Sequence, residues 1–83
     1  LFAMAKVIFS SELQLLTGED HAMVSATNYR DLVAELLSRY ENLSEGEIMK
    51  MAVAIDGVVI PDPLLESVSS SSEVHFLYRI SGG

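Results

Sequence analysis

The sequence predicts a two-layer α+β sandwich, a mixed sheet of four to five strands covered by one main helix. Three observations carry this expectation. One segment, Tyr29 to Tyr40, places its apolar residues in a single stripe at helical spacing. Several short segments alternate apolar and polar residues, as half-buried strands do. The 83 residues make one domain. A chain of this length buries roughly 60–65% of its unfolded surface, so one helix stripe and one sheet face must cover each other.

The elements follow in order. Lys6 to Ser10 reads as the first strand, with Val7 and Phe9 on one face and Lys6 and Ile8 on the other. Ser11 to Leu16 is a short connecting segment whose Leu13 and Leu16 tuck under the sheet, and Thr17-Gly18-Glu19-Asp20 is a turn. His21 to Ala26 is a second strand whose inward face is either Met23 or the Ala22 and Val24 pair. In the helix, Tyr29, Leu32, Val33, Leu36, Leu37 and Tyr40 form the stripe. Thr27 or Asn28 is its N-cap, Asp31 suits the positive end of its dipole, and Glu35 and Arg39 pair on its wet side. Asn42 stops the helix, and the polar stretch Glu41 to Lys50, which contains Gly46, reads as loop.

Met51 to Ile55 is the next strand, with Met51, Val53 and Ile55 toward the core and Ala52 and Ala54 facing out. Asp56-Gly57 is the two-residue signal of a type I′ hairpin, and Val58 to Ile60 is the return strand. Asp62-Pro63 reads as an N-cap and first helical residue, opening one turn through Leu64 and Leu65. Ser69 to Ser72 is expected as a flexible turn. The final strand, Val74 to Ile80, alternates Val74, Phe76, Tyr78 and Ile80 with His75, Leu77 and Arg79, then meets Ser81, Gly82 and Gly83.

Composition excludes several functions. Hydrophobic residues are 49%, which fits a packed globule and not a disordered chain. No apolar run approaches the roughly 20 residues of a membrane helix. Leu1 to Ala5 is apolar but Lys6 interrupts it, and no cleavage site follows, unlike a secretory signal. Met4 reads as a natural start, with Leu1, Phe2 and Ala3 an added remnant. The absence of cysteine removes disulfides, thiolate metal sites and a thiol nucleophile, and fits the reducing cytoplasm. Net charge is −7, from twelve acidic and five basic residues, which disfavours nucleic acid and anionic membrane as partners and favours a basic protein surface. His21 and His75 have no further ligands at metal spacing and read as surface residues, so no metal is expected. There is no Gly-x-Ser-x-Gly elbow and no glycine-rich phosphate loop. No catalytic side chain stands out, and the one chemically usable feature is the C-terminal Gly82-Gly83. Lacking Cβ atoms, these two residues can lie extended in a slot too narrow for any other.

On Lys6-Val7-Ile8-Phe9 with Leu13, Leu16 and Gly18, the Tyr29 to Tyr40 stripe, the Val53-Ala54-Ile55-Asp56-Gly57 hairpin, and Val74-His75-Phe76 leading to Ile80-Ser81-Gly82-Gly83, the chain resembles the ubiquitin-like β-grasp sulfur carriers. These are the small subunit of molybdopterin synthase (MoaD) and the thiamine-pathway carrier (ThiS). Length and front half are closer to the former, and Val59-Ile60-Pro61 to the latter. Ser71-Ser72 stand where such carriers often have Gly-Asp. Tyr78-Arg79 stand where prolines are usual, so that the end is nearer ubiquitin.

The resemblance implies a β-grasp domain over 4–80 and a flexible tail over 81–83. It implies that an activating enzyme, supplying ATP and Mg²⁺, adenylates the Gly83 carboxylate, and that sulfur from a partner's persulfide leaves a thiocarboxylate there. A synthase subunit then accepts the sulfur, in molybdopterin assembly on the leading reading. Gly82 and Ser81 would thread the tail. In such a sheet the first and last strands are neighbours, so Ile8, His75 and Leu77, with Arg79 beside the tail, form the expected partner interface. A thiamine-pathway carrier, a protein modifier joined through Gly83 to a lysine, and a non-covalent binding module are the alternatives.

Overall fold

The structure, a computed structural model, describes residues 4–78. The first strand, β1 (Ala5–Ile8), buries Ala5 and Val7 and leaves Lys6 and Ile8 half-buried on the other face. It pairs antiparallel with β2 (His21–Val24), in the register Val7 with Ala22 and Lys6 with Met23. Ala22 and Val24 therefore point inward and Met23 outward. The connection is more ordered than the sequence indicates. Ser11–Thr17 forms α1, opened by Ser10, whose hydroxyl accepts the Leu13 N–H, and closed by Gly18 at φ 75°. Leu13 is fully buried and Leu16 packs at the edge of the core.

The apolar stripe becomes α2 (Tyr29–Arg39). Asn28 is the cap, with its side-chain oxygen accepting the Asp31 N–H at 2.8 Å. Leu32 and Leu36 have no exposed surface, and each contributes about 1.5–3 kcal/mol by leaving water. The helix ends at Arg39, before the expected Asn42, because Tyr40 turns extended. Its ring meets Phe9 edge-on at 5.7 Å, and its hydroxyl donates to Glu19 at 2.7 Å. Burial is the main cause that raises the Tyr40 pKa, with the Glu19 carboxylate adding to it. Glu35 holds Arg39 at 2.9 Å and also accepts the backbone N–H of Ser25, just beyond the edge strand β2.

The stretch from Glu41 to Lys50, read as loop, contains a helix, α3 (Glu45–Met49). The Ser44 hydroxyl accepts the Glu47 N–H, and Ile48 buries against the core. Next come β3 (Met51–Ile55) and β4 (Val58–Ile60), joined by Asp56 at φ 51° and Gly57 at φ 85°, the paired positive angles of a type I′ turn. Ala54 is buried, although its place in the strand turns it away from the core. Its small side chain lies between His75 and Val59 on neighbouring strands. Pro63–Leu65 forms a single 3₁₀ turn, and Asp62 makes no side-chain capping bond to it. The chain then ties back to the start of α2: Tyr29 N–H donates to the Glu66 carbonyl and Val68 N–H to that of Thr27, both at 2.9 Å.

The last strand, β5 (Glu73–Tyr78), lies at the centre of the sheet, whose order is β2-β1-β5-β3-β4. It runs parallel to β1 and antiparallel to β3. This is the β-grasp arrangement. Val74 and Phe76 point to the helix side, where Phe76 meets Tyr29 with ring centres 6.2 Å apart. The serine run is a hydrogen-bonded turn. Ser72 is buried, its hydroxyl donates to Asp56 Oδ2 at 3.1 Å, and it accepts the Ser69 N–H.

Candidate docking face

Strand alternation sends one set of side chains into the core and the other onto the opposite face of the sheet. That outer face carries no described helix. Register places His75 beside Ile8 on one flank and Ala54 on the other, with Val59 beyond Ala54 and His21 beyond Ile8. Leu77 follows two residues along β5, next to Ala52. On the other side of His75, Glu73 lies next to Lys6, and Lys6 next to Met23.

Ile8, His75 and Leu77, three of the residues expected at a partner interface, thus share one face. Ile8 and His75 are half-buried by their neighbours, while Leu77 is 40% exposed. Arg79, Ser81, Gly82 and Gly83, together with the tail they are expected to form, lie outside the described residues.

Two apolar members of the face, Met23 at 40% and Val59 at 57% exposure, are additions to that set. The signal for Met23 was open in the sequence, because His21 to Ala26 has apolar residues of both parities. For Val59 it was absent, since Val58, Val59 and Ile60 are all apolar and no alternation tells the faces apart.

The polar groups on this face are paired locally. His75 Nε2 lies 2.7 Å from Glu73 Oε1, and His21 Nδ1 lies 2.7 Å from Asp20 Oδ1. The hydrogen bond and charge of His21 hold the Asp20 carboxyl below its usual pKa. The surface therefore carries Ile8 and Leu77 around a central His75–Glu73 pair, with Lys6 beside Glu73 and the His21–Asp20 pair at the β2 edge. Such a face suits a partner that lays apolar side chains on the sheet and polar ones at its rim. Among the described residues, no group of three His, Asp or Glu side chains is placed to hold a metal ion. No described helix is long and apolar enough to cross a membrane.

The strand that bears His75 and Leu77 also leads to the C-terminus. β5 has hydrogen-bonded partners on both sides, β1 and β3, and Tyr78 is paired with Met51. Residues 79–83 therefore follow directly on the central strand of the sheet.

Neither a sequence-family model nor a curated protein sequence matches the chain. Solved structures do. The small archaeal modifier protein 1 (SAMP1) of Methanosarcina acetivorans superposes with a TM-score of 0.77 at 22% identity, covering 98% of this chain and 97% of that one. SAMP1 from Haloferax volcanii gives 0.75 at 18% identity, over 96% and 99%. A chain from the complex of subunits 1 and 2 of the molybdopterin-converting factor from Helicobacter pylori gives 0.67 at 20% identity, over 96% and 99%. The chain shares the β-grasp fold of these small proteins along nearly its whole length.

Proposed function

We propose that this protein is a ubiquitin-like sulfur carrier whose Gly83 carboxylate is converted to a thiocarboxylate for molybdopterin assembly. The observation that supports it most is the β-grasp sheet, whose central strand, held on both sides, is followed closely by Ser81-Gly82-Gly83. The carrier has no catalytic side chain of its own and acts as a co-substrate. The likeness to a chain from the Helicobacter pylori complex supports a synthase subunit as the acceptor.

The chemistry needs an activating enzyme that supplies ATP and Mg²⁺. An oxygen of the Gly83 carboxylate attacks the α-phosphorus, pyrophosphate leaves, and an acyl-adenylate results. The terminal sulfur of a partner's persulfide then attacks the acyl carbon and AMP leaves, giving an acyl disulfide. A partner thiol cleaves that S–S bond, forming a new disulfide among the partner sulfurs and leaving the thiocarboxylate. The metal and cationic donors of the partner stabilise the phosphoryl charge. Gly82 and Ser81 are slim enough to thread a narrow channel. Ile8, His75 and Leu77 provide the docking face, with Arg79 available to a partner carboxylate. A carrier with an excess of acidic residues suits a basic partner face. The reading places the protein in a reducing compartment such as the cytoplasm.

The test is mass spectrometry of the chain after incubation with an activating enzyme, ATP and a persulfide donor. Replacement of O by S is expected to add about 16 Da at Gly83, and a chain that forms neither adenylate nor this product overturns the reading. A second reading is favoured by the likeness to two archaeal modifiers, namely conjugation of Gly83 to lysines of other proteins. Higher-mass conjugates in cells that vanish when Gly83 is deleted, without a thiocarboxylate, select it.

A further inference from the structure

The stripe on α2 is wider than the core needs. Leu32, Leu36 and Tyr40 face the sheet; Val33 and Leu37, both half-buried, continue a second row at i+4 and i+8 from Tyr29, which is itself buried against Phe76. This second row forms one wall of a groove of about 440 Å³, and Ile48, Met49 and Leu64 form the other. The groove lies in the helical layer, away from the outer sheet face. Its rim is apolar and exposed: Met49 is 67% exposed and Leu64 48%. From Tyr29 to Leu37 it runs eight steps along the helix, about 12 Å at 1.5 Å per residue. That length receives side chains from two turns of an incoming helix, at i, i+4 and i+7.

Charge indicates what kind of helix. Glu45 lines the groove. The segment that carries Leu64 adds two further acids, the exposed Asp62 and Glu66 on either side of the 3₁₀ turn. Lys50 and Glu47 of the neighbouring α3 end offset each other at 3.6 Å, and Arg30 is the cation in the lining.

We propose that this groove is a second docking site, which receives a basic amphipathic helix from a partner protein. The helix would lay leucine-like side chains between α2 and α3 and set its lysines or arginines against Glu45, Asp62 and Glu66. Binding at this site is independent of Gly83 and leaves the outer sheet face free, so a carrier can be held by one protein while another engages its C-terminus.

The probe is a synthetic Leu/Lys peptide with leucines at i, i+3, i+4 and i+7. Its controls are a Leu/Lys peptide of the same composition with period-two spacing and a Leu/Glu peptide with helical spacing. NMR of the isotope-labelled full chain should show shifts at Val33, Leu37, Ile48 and Leu64 with the helical Leu/Lys peptide, and none with either control. Met49→Glu and Glu45→Lys, both at exposed positions, should keep the unfolding temperature and weaken binding at least tenfold. Deleting Gly83 should leave it unchanged. Shifts confined to the outer face, equal binding of the controls, binding indifferent to Met49→Glu, or self-association of the chain through this groove would overturn the proposal.

Discussion

Asp56 shows how much one side chain can connect. Its backbone sits at φ 51°, a conformation the type I′ turn requires, and its carboxylate reaches across to the start of β5. Oδ1 accepts the Glu73 N–H at 2.9 Å, Oδ2 accepts the Ser72 hydroxyl at 3.1 Å, and its own N–H donates to the Glu73 carbonyl at 2.9 Å. Asp56→Ala removes both side-chain acceptors and is expected to cost about 2 kcal/mol, since a buried hydroxyl and a strand N–H each lose a charged partner. Asp56→Asn keeps one acceptor and tolerates positive φ, so it should lose less than half of that. Denaturant midpoints at unchanged slope report the difference. Tyr29 makes a separate prediction. Burial pushes its pKa up to about 12 from an ordinary value of 10. Below pH 10 the phenol is neutral in both folded and unfolded chains. Between pH 10 and about 12 the unfolded chain loses the proton first, so stability falls as pH rises. The loss is roughly 2–3 kcal/mol at 1.36 kcal/mol per pKa unit. Tyr29→Phe should make the decline in unfolding temperature over this range shallower.

At the scale of the element, the sequence was legible where pattern and packing agree. The α2 stripe, the Asp56-Gly57 turn and the alternation of β1 and β5 each bury one regular face, and each can be read directly. Where burial rests on one residue, it cannot. α3 contributes only Ile48 to the core, so no periodicity marks it, and Gly46 makes it look like loop. Its signal was local: Ser44-x-x-Glu47 has the residue types of a capping box, of which the Ser44 half is formed. Ser10 likewise announces α1. Ser44→Ala should cost about 1 kcal/mol. Hydrogen exchange is expected to show Glu47 and Ile48 losing protection while Leu32 and Leu36 keep theirs. Of the candidate site, Ile8, His75 and Leu77 were legible because strand parity alone assigns them to one face. Met23 and Val59 were not, because their strands are apolar on both parities.

For the whole molecule, the sheet separates stability from recognition by a single step along the chain. Phe76 is 1% exposed and its successor Leu77 is 40% exposed. Phe76→Ala should cost about 3–5 kcal/mol, a large share of what an 83-residue chain has. Leu77→Arg is expected to stay within about 0.5 kcal/mol of the parent in thermal unfolding, and under the proposed carrier function to weaken binding of an activating enzyme at least tenfold in titration. A variant that lost both together would show that Leu77 supports the fold rather than the docking face.

The position of β5 has one more consequence, which concerns synthesis. β1 with β2 and β3 with β4 are two separate hairpins, and among the described residues β5 is the strand that bridges them. It is also the last of the five to leave the ribosome. Until it arrives there are two unconnected ribbons, each too small to stand alone in water. A chain whose translation stops before Tyr78 therefore lacks the bridge and presents no continuous sheet. A partner that recognised the assembled face would in effect accept only chains translated through β5.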